Sequence, residues 1–209
     1  MQYEPRRNKM NKKFELLLDD TITIFGIKLF RIKALISFGN VEEGEIGGYV
    51  EKETNLSSYG DAWVSDNAMI YGDAEVYGNA RVYGDAMISG DAWVSDNARV
   101  SGDAEVYGDA MIYGDAMIYG NARVSDNAKV SGDAMIYGDA DYIVFKNNWS
   151  SGRYFTYTKS NKMWKVGCFY GTGQELINKA YQDSEISGKH YEAYVEFVEK
   201  LEKLEETND

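Results

Sequence analysis

Residues 59–76 read YGDAWV SDNAMI YGDAEV, and the same six-residue pattern continues without interruption to residue 142. Fourteen units fill this stretch; each has Ala at its fourth position, and all but the last end in Val or Ile. Residues two apart on an extended strand share a face, so the Ala and the aliphatic residue lie on one side and the variable fifth residue on the other. A fixed period this short predicts a solenoid.

The first three residues of each unit are expected to form a corner. Gly, Asn and Asp recur there because they accept the backbone angles of tight turns. In three units Asp replaces Gly, at Asp66, Asp96 and Asp126, and Asn follows it. We expect the strained backbone conformation to move to the Asn in those units.

The net charge of −12 is concentrated in the repeat, which holds fifteen acidic and four basic residues. Corner chemistry and solubility explain these Asp residues better than mimicry of a nucleic-acid backbone does. The chain has a single Cys, which excludes an intrachain disulfide, and no apolar run of membrane-spanning length. Acidic residues interrupt the apolar run near the start, unlike in a signal peptide, so we expect a cytoplasmic protein.

The residues before the repeat predict a small β cap. Residues 1–13 are expected to be a disordered extension, and residues 14–58 to form the cap and the lead-in to the repeat. A solenoid needs a cap because its open end exposes unpaired strand edges and apolar core. Asp19 and Asp20 are expected to form a turn, and the predicted strands cover residues 14–18, 21–25 and 29–36.

Two segments outside the regular units resemble a known family. The run LFRIKALISFGNVEEGEIGGYVEKETNLSSYGDAWV at 29–64, followed by the hexads, is similar to hexapeptide-repeat proteins of phages and prophages. The tail DADYIVFKNNWSSGRYFTYTKSNKMWKVGCFYGTGQELINKA at 139–180 is similar to the C-terminal module that many of them carry. The resemblance implies a mainly β fold, a left-handed parallel β-helix with three units per coil over residues 59–142. It implies a mobile-element origin but no assigned activity.

Steps of eighteen residues sort the outward positions into three columns. Seven of the fourteen outward residues are Trp or Met, which is too apolar for a fully solvated wall. Either the end modules or other copies of the chain should cover them; because left-handed β-helix proteins are often trimers, we expect a homo-oligomer, by preference a trimer. The residues assigned to this surface are Met69, Met87, Trp93, Met111, Met117 and Met135.

One column brings Arg81 and Arg99 together beside Trp63. Stacked like charges usually need an anion or an acidic partner, so these three residues are the anion candidate on the solenoid. The favoured alternative is that both Arg side chains reach the corner Asp residues. A neighbouring column stacks opposite charges: Glu105, Arg123 and Asp141.

Residues 143–209 predict a C-terminal module of three strands and two helices. The strands are expected over residues 142–146, 153–159 and 163–169. Thr172 and Glu175 form a capping box that starts the first helix. The second helix, from about Gly188 to about Leu204, is expected to bury Tyr191, Tyr194, Val195, Val198 and Leu201.

This module contains a basic and aromatic stretch. No acidic residue lies between Asp141 and Glu175, whereas five basic residues are interleaved with aromatic ones. Such a surface suits an anionic planar ligand or single-stranded nucleic acid. The favoured alternative places the aromatic side chains in the core and docks the basic rim on the acidic solenoid. The residues assigned to a ligand or partner surface are Lys146, Trp149, Arg153, Tyr157, Lys159 and Lys165.

The repeat lacks the residues that an enzyme of this shape would use. Hexapeptide acyltransferases, which the repeat resembles, often carry a His on the solenoid wall as general base, but the only His here, His190, falls in the second C-terminal helix. Cys168 is expected to be a buried apolar residue of a strand. One Cys and one His give no zinc site, so no catalytic residue, metal or cofactor is assigned.

The preferred hypothesis is therefore a non-enzymatic interaction protein: an oligomeric scaffold whose end modules bind a host factor, such as a defence component. A sponge for an anionic nucleotide-like ligand and an acyltransferase are the two alternatives. No membrane partner is expected, and the acidity of the solenoid disfavours nucleic acid as its partner.

Overall fold

The computed structural model describes residues 12–206 of the 209-residue chain. Its centre is a parallel β-solenoid of about five turns, with a β-sheet cap at one end and an antiparallel sheet with two helices at the other. Within residues 12–206, neither helix is both long enough and apolar enough to cross a membrane.

Three strands form the N-terminal cap and its entry to the solenoid: β1 Phe14–Ile24, β2 Ile27–Ala34 and β3 Ile46–Val50. The predicted turn at Asp19 and Asp20 is wrong, because β1 runs through both residues and the β1–β2 register only shifts between Leu17 and Thr21. Such a shift is a β-bulge, which bends a strand without ending it. The two strands connect instead through Phe25 and Gly26, whose φ angles are 50° and 80°.

The solenoid walls consist of two-residue strands, each made of a variable residue and the aliphatic residue after it. These strands are β4 Trp63–Val64, β5 Met69–Ile70, β6 Glu75–Val76, β7 Arg81–Val82, β8 Met87–Ile88, β9 Trp93–Val94, β10 Arg99–Val100, β11 Glu105–Val106, β12 Met111–Ile112, β13 Met117–Ile118, β14 Arg123–Val124, β15 Lys129–Val130 and β16 Met135–Ile136.

Every third strand belongs to the same wall, and neighbours in a wall pair in parallel. We call β5-β8-β11-β14 wall A, β4-β7-β10-β13-β16 wall B and β6-β9-β12-β15 wall C; wall A also continues into the cap through β3. The pairing of Arg81 with Arg99, and of Arg99 with Met117, confirms the predicted columns. Asp141 is the exception, because it lies beyond the last strand of wall A.

The core of the solenoid is a stack of small and branched side chains. The repeat alanines from Ala62 to Ala134 and the aliphatic residues from Val64 to Ile136 are all 0% exposed. Burial of a Val or Ile side chain contributes about 1.5 to 3 kcal/mol, so this thin core gains its stability from repetition.

The corners keep one backbone geometry along the repeat. From residue 60 to residue 132 the second corner residue has a positive φ angle whether it is Gly or Asp, so the expected shift of strain to the following Asn is wrong; Gly138 of the last unit is extended, with a φ of −156°. The carboxylates help to hold this geometry: Asp66 accepts the N–H of Gly84 at 3.0 Å, and Asp96 that of Gly114 at 3.1 Å, both one coil further on. The three Asp residues with positive φ are Asp66, Asp96 and Asp126, at 56°, 56° and 59°.

Hydrogen bonds at the corners and strand flanks give the solenoid a direction. Here the N–H of one coil donates to a carbonyl of the next, as Ser65 does to Val82 at 2.9 Å. At these positions the first coil presents carbonyls towards the N-terminal end, and the last coil presents N–H groups towards the C-terminal end. Two bonds have the opposite sense: the Gly72 N–H donates to Glu51 Oε2 at 2.7 Å, and the Tyr142 hydroxyl donates to Arg123 O at 2.9 Å. Both rows need partners when they are covered, because a buried backbone group without one is costly.

Side chains near the N-terminal end donate hydrogen bonds to carbonyls of the first coil. Lys13 and Asn55 are almost fully buried, at 1% and 0% exposure, and both belong to the cap and lead-in. The bonds are Lys13 Nζ to Ala62 O at 2.6 Å, Arg31 to Asp66 O at 2.7 Å, and Asn55 Nδ2 to Gly72 O at 3.0 Å and Ala74 O at 2.8 Å.

Lys13 is held in an unusual position for a Lys. Its Nζ also lies 4.3 Å from the centre of the Phe38 ring, and its burial lowers the pKa of the ammonium to about 8. The predicted disordered extension covers residues 1–13, and its residues 1–11 lie outside the described part of the chain. Its last two residues differ from that prediction, because Lys13 is buried and Lys12 pairs with Glu53 at 2.5 Å.

Side chains near the C-terminal end accept hydrogen bonds from N–H groups of the last coil. They come from the end of the repeat and from the strands and turn of the C-terminal sheet. The bonds run from Arg123 N to Asp139 Oδ1 at 2.9 Å, from Lys129 N to Thr156 Oγ1 at 2.9 Å, from Met135 N to Ser160 Oγ at 2.8 Å, and from Tyr137 N to Asp141 Oδ2 at 2.7 Å.

The C-terminal module contains β17 Tyr142–Lys146, β18 Tyr154–Thr158, β19 Met163–Val166, β20 Phe169–Gly171, α1 Gly173–Asp183 and α2 Glu185–Glu206. The third predicted strand is therefore two strands, because the chain turns at Gly167 with a φ of 59°. Cys168 lies in that turn and is exposed, so its predicted burial is wrong. The predicted cap of α1 is confirmed, since Thr172 Oγ1 accepts the N–H of Glu175 at 3.3 Å.

Candidate functional site

The C-terminal sheet divides the predicted basic and aromatic surface between its two faces. One face packs on the helices and buries Tyr157 and Trp164 in a core with Val195 and other apolar residues. The opposite face meets the solenoid, where Thr156 bonds to wall C and Lys165 lies 5.5 Å from the Tyr113 ring centre. Strand alternation thus separates residues that the sequence had grouped together.

Tyr157 belongs to the core of the module. It is 4% exposed, and its hydroxyl donates to Glu202 Oε1 of α2 at 2.5 Å. Burial, together with this carboxylate, raises the pKa of the phenol. The structure thus places Tyr157 mostly inside the module, and its assignment to a ligand or partner surface stays a prediction.

Lys159 and Lys165 hold the module together rather than face solvent freely. Lys159 Nζ lies 2.5 Å from Glu205 of α2, and Lys165 packs on a corner Tyr of the solenoid. Only Lys165 matches the alternative in which the basic rim docks on the acidic solenoid, because Lys159 pairs within the C-terminal module.

The remaining three predicted residues lie at the outer end of the sheet. Lys146 closes β17, with its Nζ 5.3 Å from the Tyr154 ring centre, and Arg153 precedes β18. Between them residues 147–152 form a loop, which we call the Trp149 loop, with Trp149 79% exposed. This is the largest exposed aromatic surface that the described part of the module offers.

A buried side chain fixes the Trp149 loop from inside. Asn147 is 0% exposed; its Oδ1 accepts the N–H of Trp149 at 3.1 Å, and its Nδ2 donates to Ser150 Oγ at 2.8 Å. The backbone of Gly152 also donates to Asn147 O at 2.7 Å. The loop therefore presents Trp149 from an ordered backbone. Sequence reasoning missed Asn147, although Asn before a Ser-Ser-Gly turn is a recognisable signal.

The predicted anion site of Trp63, Arg81 and Arg99 is only partly accessible, because Trp63 is buried. Trp63 is 2% exposed, because the cap covers it and the Phe38 ring packs edge-on at 5.5 Å. Arg81 and Arg99 do pair in register on wall B. Among residues 12–206, no carboxylate oxygen lies within 4.0 Å of either guanidinium, so the favoured alternative of bonds to corner Asp residues is not seen. The expected opposite-charge stack is present, with Arg123 Nε 3.5 Å from Glu105.

The Trp and Met residues assigned to a covered surface are divided among the walls. Met69 and Met87 lie on wall A, Trp93 and Met111 on wall C, and Met117 and Met135 on wall B. Trp93 is 43% and Met135 37% exposed, whereas the other four are half-buried. The end modules thus cover this surface only in part.

A cavity of about 590 Å³ lies beside Arg153, between the β19–β20 turn and the two helices. Cys168 lies at this cavity, and Lys179 and Asp183 of α1 contribute charged groups. Sequence reasoning missed this site because Cys168 was assigned to a buried strand. The Gly before it was the available signal, since Gly inside a strand pattern often marks a break.

Other candidate chemistry lies outside these sites. His190 is on α2, and its Nδ1 is 2.8 Å from Ile186 O, one helical turn back. In the part of the chain that the structure describes, no group of three or more His, Cys, Asp or Glu side chains is arranged to hold a metal ion.

Comparison with known families adds to the fold. Residues 74–95 and 116–131 match the family model described as the YdcK beta solenoid repeat. The comparison with curated proteins gives no match. Both matched segments lie in the coils that form walls A, B and C, so the similarity concerns the solenoid repeat and leaves the two end modules uncovered.

Proposed function

We propose that this chain is a non-enzymatic interaction protein of phage or prophage type, in which a rigid β-solenoid carries a C-terminal module that binds a host protein in the bacterial cytoplasm. The observation that carries the proposal is the Trp149 loop. A host-defence component is the kind of partner that a mobile element would target.

The Trp149 loop has the properties of a protein-binding hot spot. Trp and Arg are enriched at such positions, where a large apolar side chain enters a pocket of the partner. Trp149 is 79% exposed, and the side chain of the adjacent Arg153 makes no ion pair or hydrogen bond within residues 12–206. Because Asn147 already orders the backbone, little loop entropy is lost on binding.

The solenoid acts in this proposal as a spacer. We propose the left-handed hexapeptide form, which the six-residue repeat and its regular corners support, with three units per coil. An experimental density map at side-chain resolution tests the handedness directly, and a right-handed coil would contradict it.

The half-covered walls support a homo-oligomer, by preference a trimer, with walls packed side by side. Trp93 and Met135 are the most exposed of the assigned residues. Native mass spectrometry of the purified chain measures the oligomeric state. A trimer that a Trp93→Glu or Met135→Glu substitution dissociates is the expected result; a monomer at micromolar concentration would contradict this part of the proposal.

The binding function is tested by affinity capture from the lysate of a bacterium that carries the element. We expect the full chain to retain one host protein in stoichiometric amount, and Trp149→Ala to lose it. The matched control is Phe25→Asn, which removes an aromatic side chain of 81% exposure from the opposite cap. Equal capture by Trp149→Ala, or capture that Phe25→Asn also abolishes, would contradict the assignment to the Trp149 loop.

A sponge for an anionic nucleotide is the second candidate, and the Arg81–Arg99 pair is the observation that favours it. Titration calorimetry with ATP as probe tests it: saturable binding that Arg99→Gln weakens would support this site, and an absence of heat would exclude it. For the non-enzymatic assignment, we expect coenzyme A to leave the melting temperature unchanged. A saturable stabilisation by coenzyme A would instead favour an acyltransferase.

A further inference from the structure

The cavity beside Arg153 has an apolar floor and a charged edge. Its volume of about 590 Å³ falls in the range of small-molecule sites. The turn between β19 and β20 forms one side and α1 forms the other. The apolar floor consists of Val166, Phe169, Leu176 and Ala180.

Three polar side chains at this cavity lack strong partners. The Arg153 guanidinium makes no ion pair or hydrogen bond within residues 12–206. Lys179 Nζ lies 3.8 Å from Asp183, and both side chains are more than half exposed, so solvent screens the pair. Tyr191 also lines the cavity, and among the described residues its hydroxyl is not one of the buried polar atoms without a partner, so it is open to the cavity rather than sealed in the core.

The charges favour an anion of low charge. Arg153 and Lys179 are cationic and Asp183 is anionic, so the edge of the cavity carries one net positive charge. A ligand with a single anionic group matches it, whereas a polyphosphate would remain uncompensated.

We propose that this cavity binds a small amphipathic organic monoanion, with its apolar body on the Val166–Phe169 and α1 side chains and its acidic group between Arg153 and Lys179. The Tyr191 hydroxyl completes the site as a hydrogen-bonding group. Arg153 belongs to both proposed sites, but Trp149 does not line the cavity, so Trp149→Ala tests the protein-binding loop and should leave binding in the cavity unchanged.

The probe is 8-anilinonaphthalene-1-sulfonate, an aromatic monoanion whose fluorescence rises in apolar sites. We expect the full chain to bind it saturably with one high-affinity site, and octanoate to compete. Arg153→Glu should weaken the affinity at least tenfold. Lys200→Glu makes the same charge change at a 73% exposed side chain of α2 away from the cavity, and should leave the affinity unchanged.

Alkylation of Cys168 gives a second measurement without any substitution. Because the chain has one Cys, N-ethylmaleimide modifies the edge of the cavity alone. We expect the modified chain to lose the high-affinity site, and the bound probe to slow the alkylation. If Arg153→Glu and the alkylated chain, each with an unchanged melting curve, bind the probe as the native chain does, the proposal is overturned.

Discussion

The two ends of the solenoid expose mostly opposite backbone groups, and most of the side chains that bind these groups are of opposite kinds. The N-terminal end presents carbonyls, and its cap supplies donors such as Lys13 and Asn55. The C-terminal end presents N–H groups, and its module supplies acceptors such as Thr156 and Asp141. The difference teaches that a cap must match the direction of the backbone as well as cover the apolar core.

The largest expected effect is at the donor end. Asn55 donates to two carbonyls and its Oδ1 accepts the N–H of Lys52 at 2.9 Å, so Asn55→Leu leaves three backbone groups without a partner. We expect a loss of about 3 to 5 kcal/mol in the free energy of unfolding, measured with urea. Hydrogen exchange should accelerate in the first coil and not in the last.

The matched control for this substitution is Asn79→Leu. Asn79 is exposed on a corner. Within the described residues, its side chain makes one hydrogen bond, from Nδ2 to Asn97 Oδ1 at 3.1 Å. Its loss should change the free energy of unfolding by less than about 1 kcal/mol. Equal losses in the free energy of unfolding at the two positions would show that the Asn55 hydrogen bonds to the first coil do not stabilise the fold more than an exposed corner bond does.

The next effect tests the acceptor end. Thr156→Val keeps the shape of the side chain and removes the oxygen that accepts the Lys129 N–H at 2.9 Å. We expect a loss of about 1 to 2 kcal/mol, with faster exchange confined to the last coil. Thr156→Ser retains the acceptor and should lose much less. If Thr156→Ser is destabilised as much as Thr156→Val, the loss of stability comes from altered packing and not from the lost hydrogen bond.

The next prediction concerns the pH dependence of stability, which Lys13 should introduce at the N-terminal end alone. Lys13 has a pKa of about 8 in the folded chain and an ordinary value of 10.5, so between these values the unfolded chain binds the extra proton. Stability from this group therefore rises with pH across that window. We expect the stability of wild type relative to Lys13→Met to rise between about pH 7 and pH 10, measured by urea unfolding. A difference between the two chains that stays constant with pH would contradict the buried, shifted ammonium.

The smallest effect lies between the ends. Asp96→Gly relieves the strain of a φ of 56° but removes the bond to the Gly114 N–H. These changes oppose each other, so we expect a net change within about 0.5 kcal/mol of zero in thermal unfolding. A loss of more than about 2 kcal/mol would mean that the carboxylate ladder, rather than the backbone, holds the corner.

The repeat could be predicted closely because its geometry is local. Each unit repeats the same strand and corner, so residues eighteen apart must meet, as Glu105 and Arg123 do. The limit of this reasoning is visible in two identical segments. Trp63 and Trp93 both begin WVSDNA, yet they are 2% and 43% exposed, because only Trp63 lies under the cap.

The candidate sites could be predicted less well because they depend on how the modules meet. Tyr157 and Thr156 are adjacent in sequence, and strand alternation sends one to the helices and the other to wall C. No property of the sequence alone says which face of that sheet meets the solenoid. Cys168 was misplaced for a different reason, because the turn at Gly167 was taken for continuous strand.

Ends that are opposite in this way are also complementary to each other. A chain stripped of both modules would offer complementary backbone groups, mostly carbonyls at one end and mostly N–H groups at the other, and apolar core at both, which is the pattern of a unit that stacks head to tail without limit. Lys13, which places a charge against the first coil, and Tyr170, whose ring fills the space beside Gly132 of the last coil, both block such stacking. The number of hexads sets the length of this rod at about five turns, and the two end modules oppose its growth into a fibre.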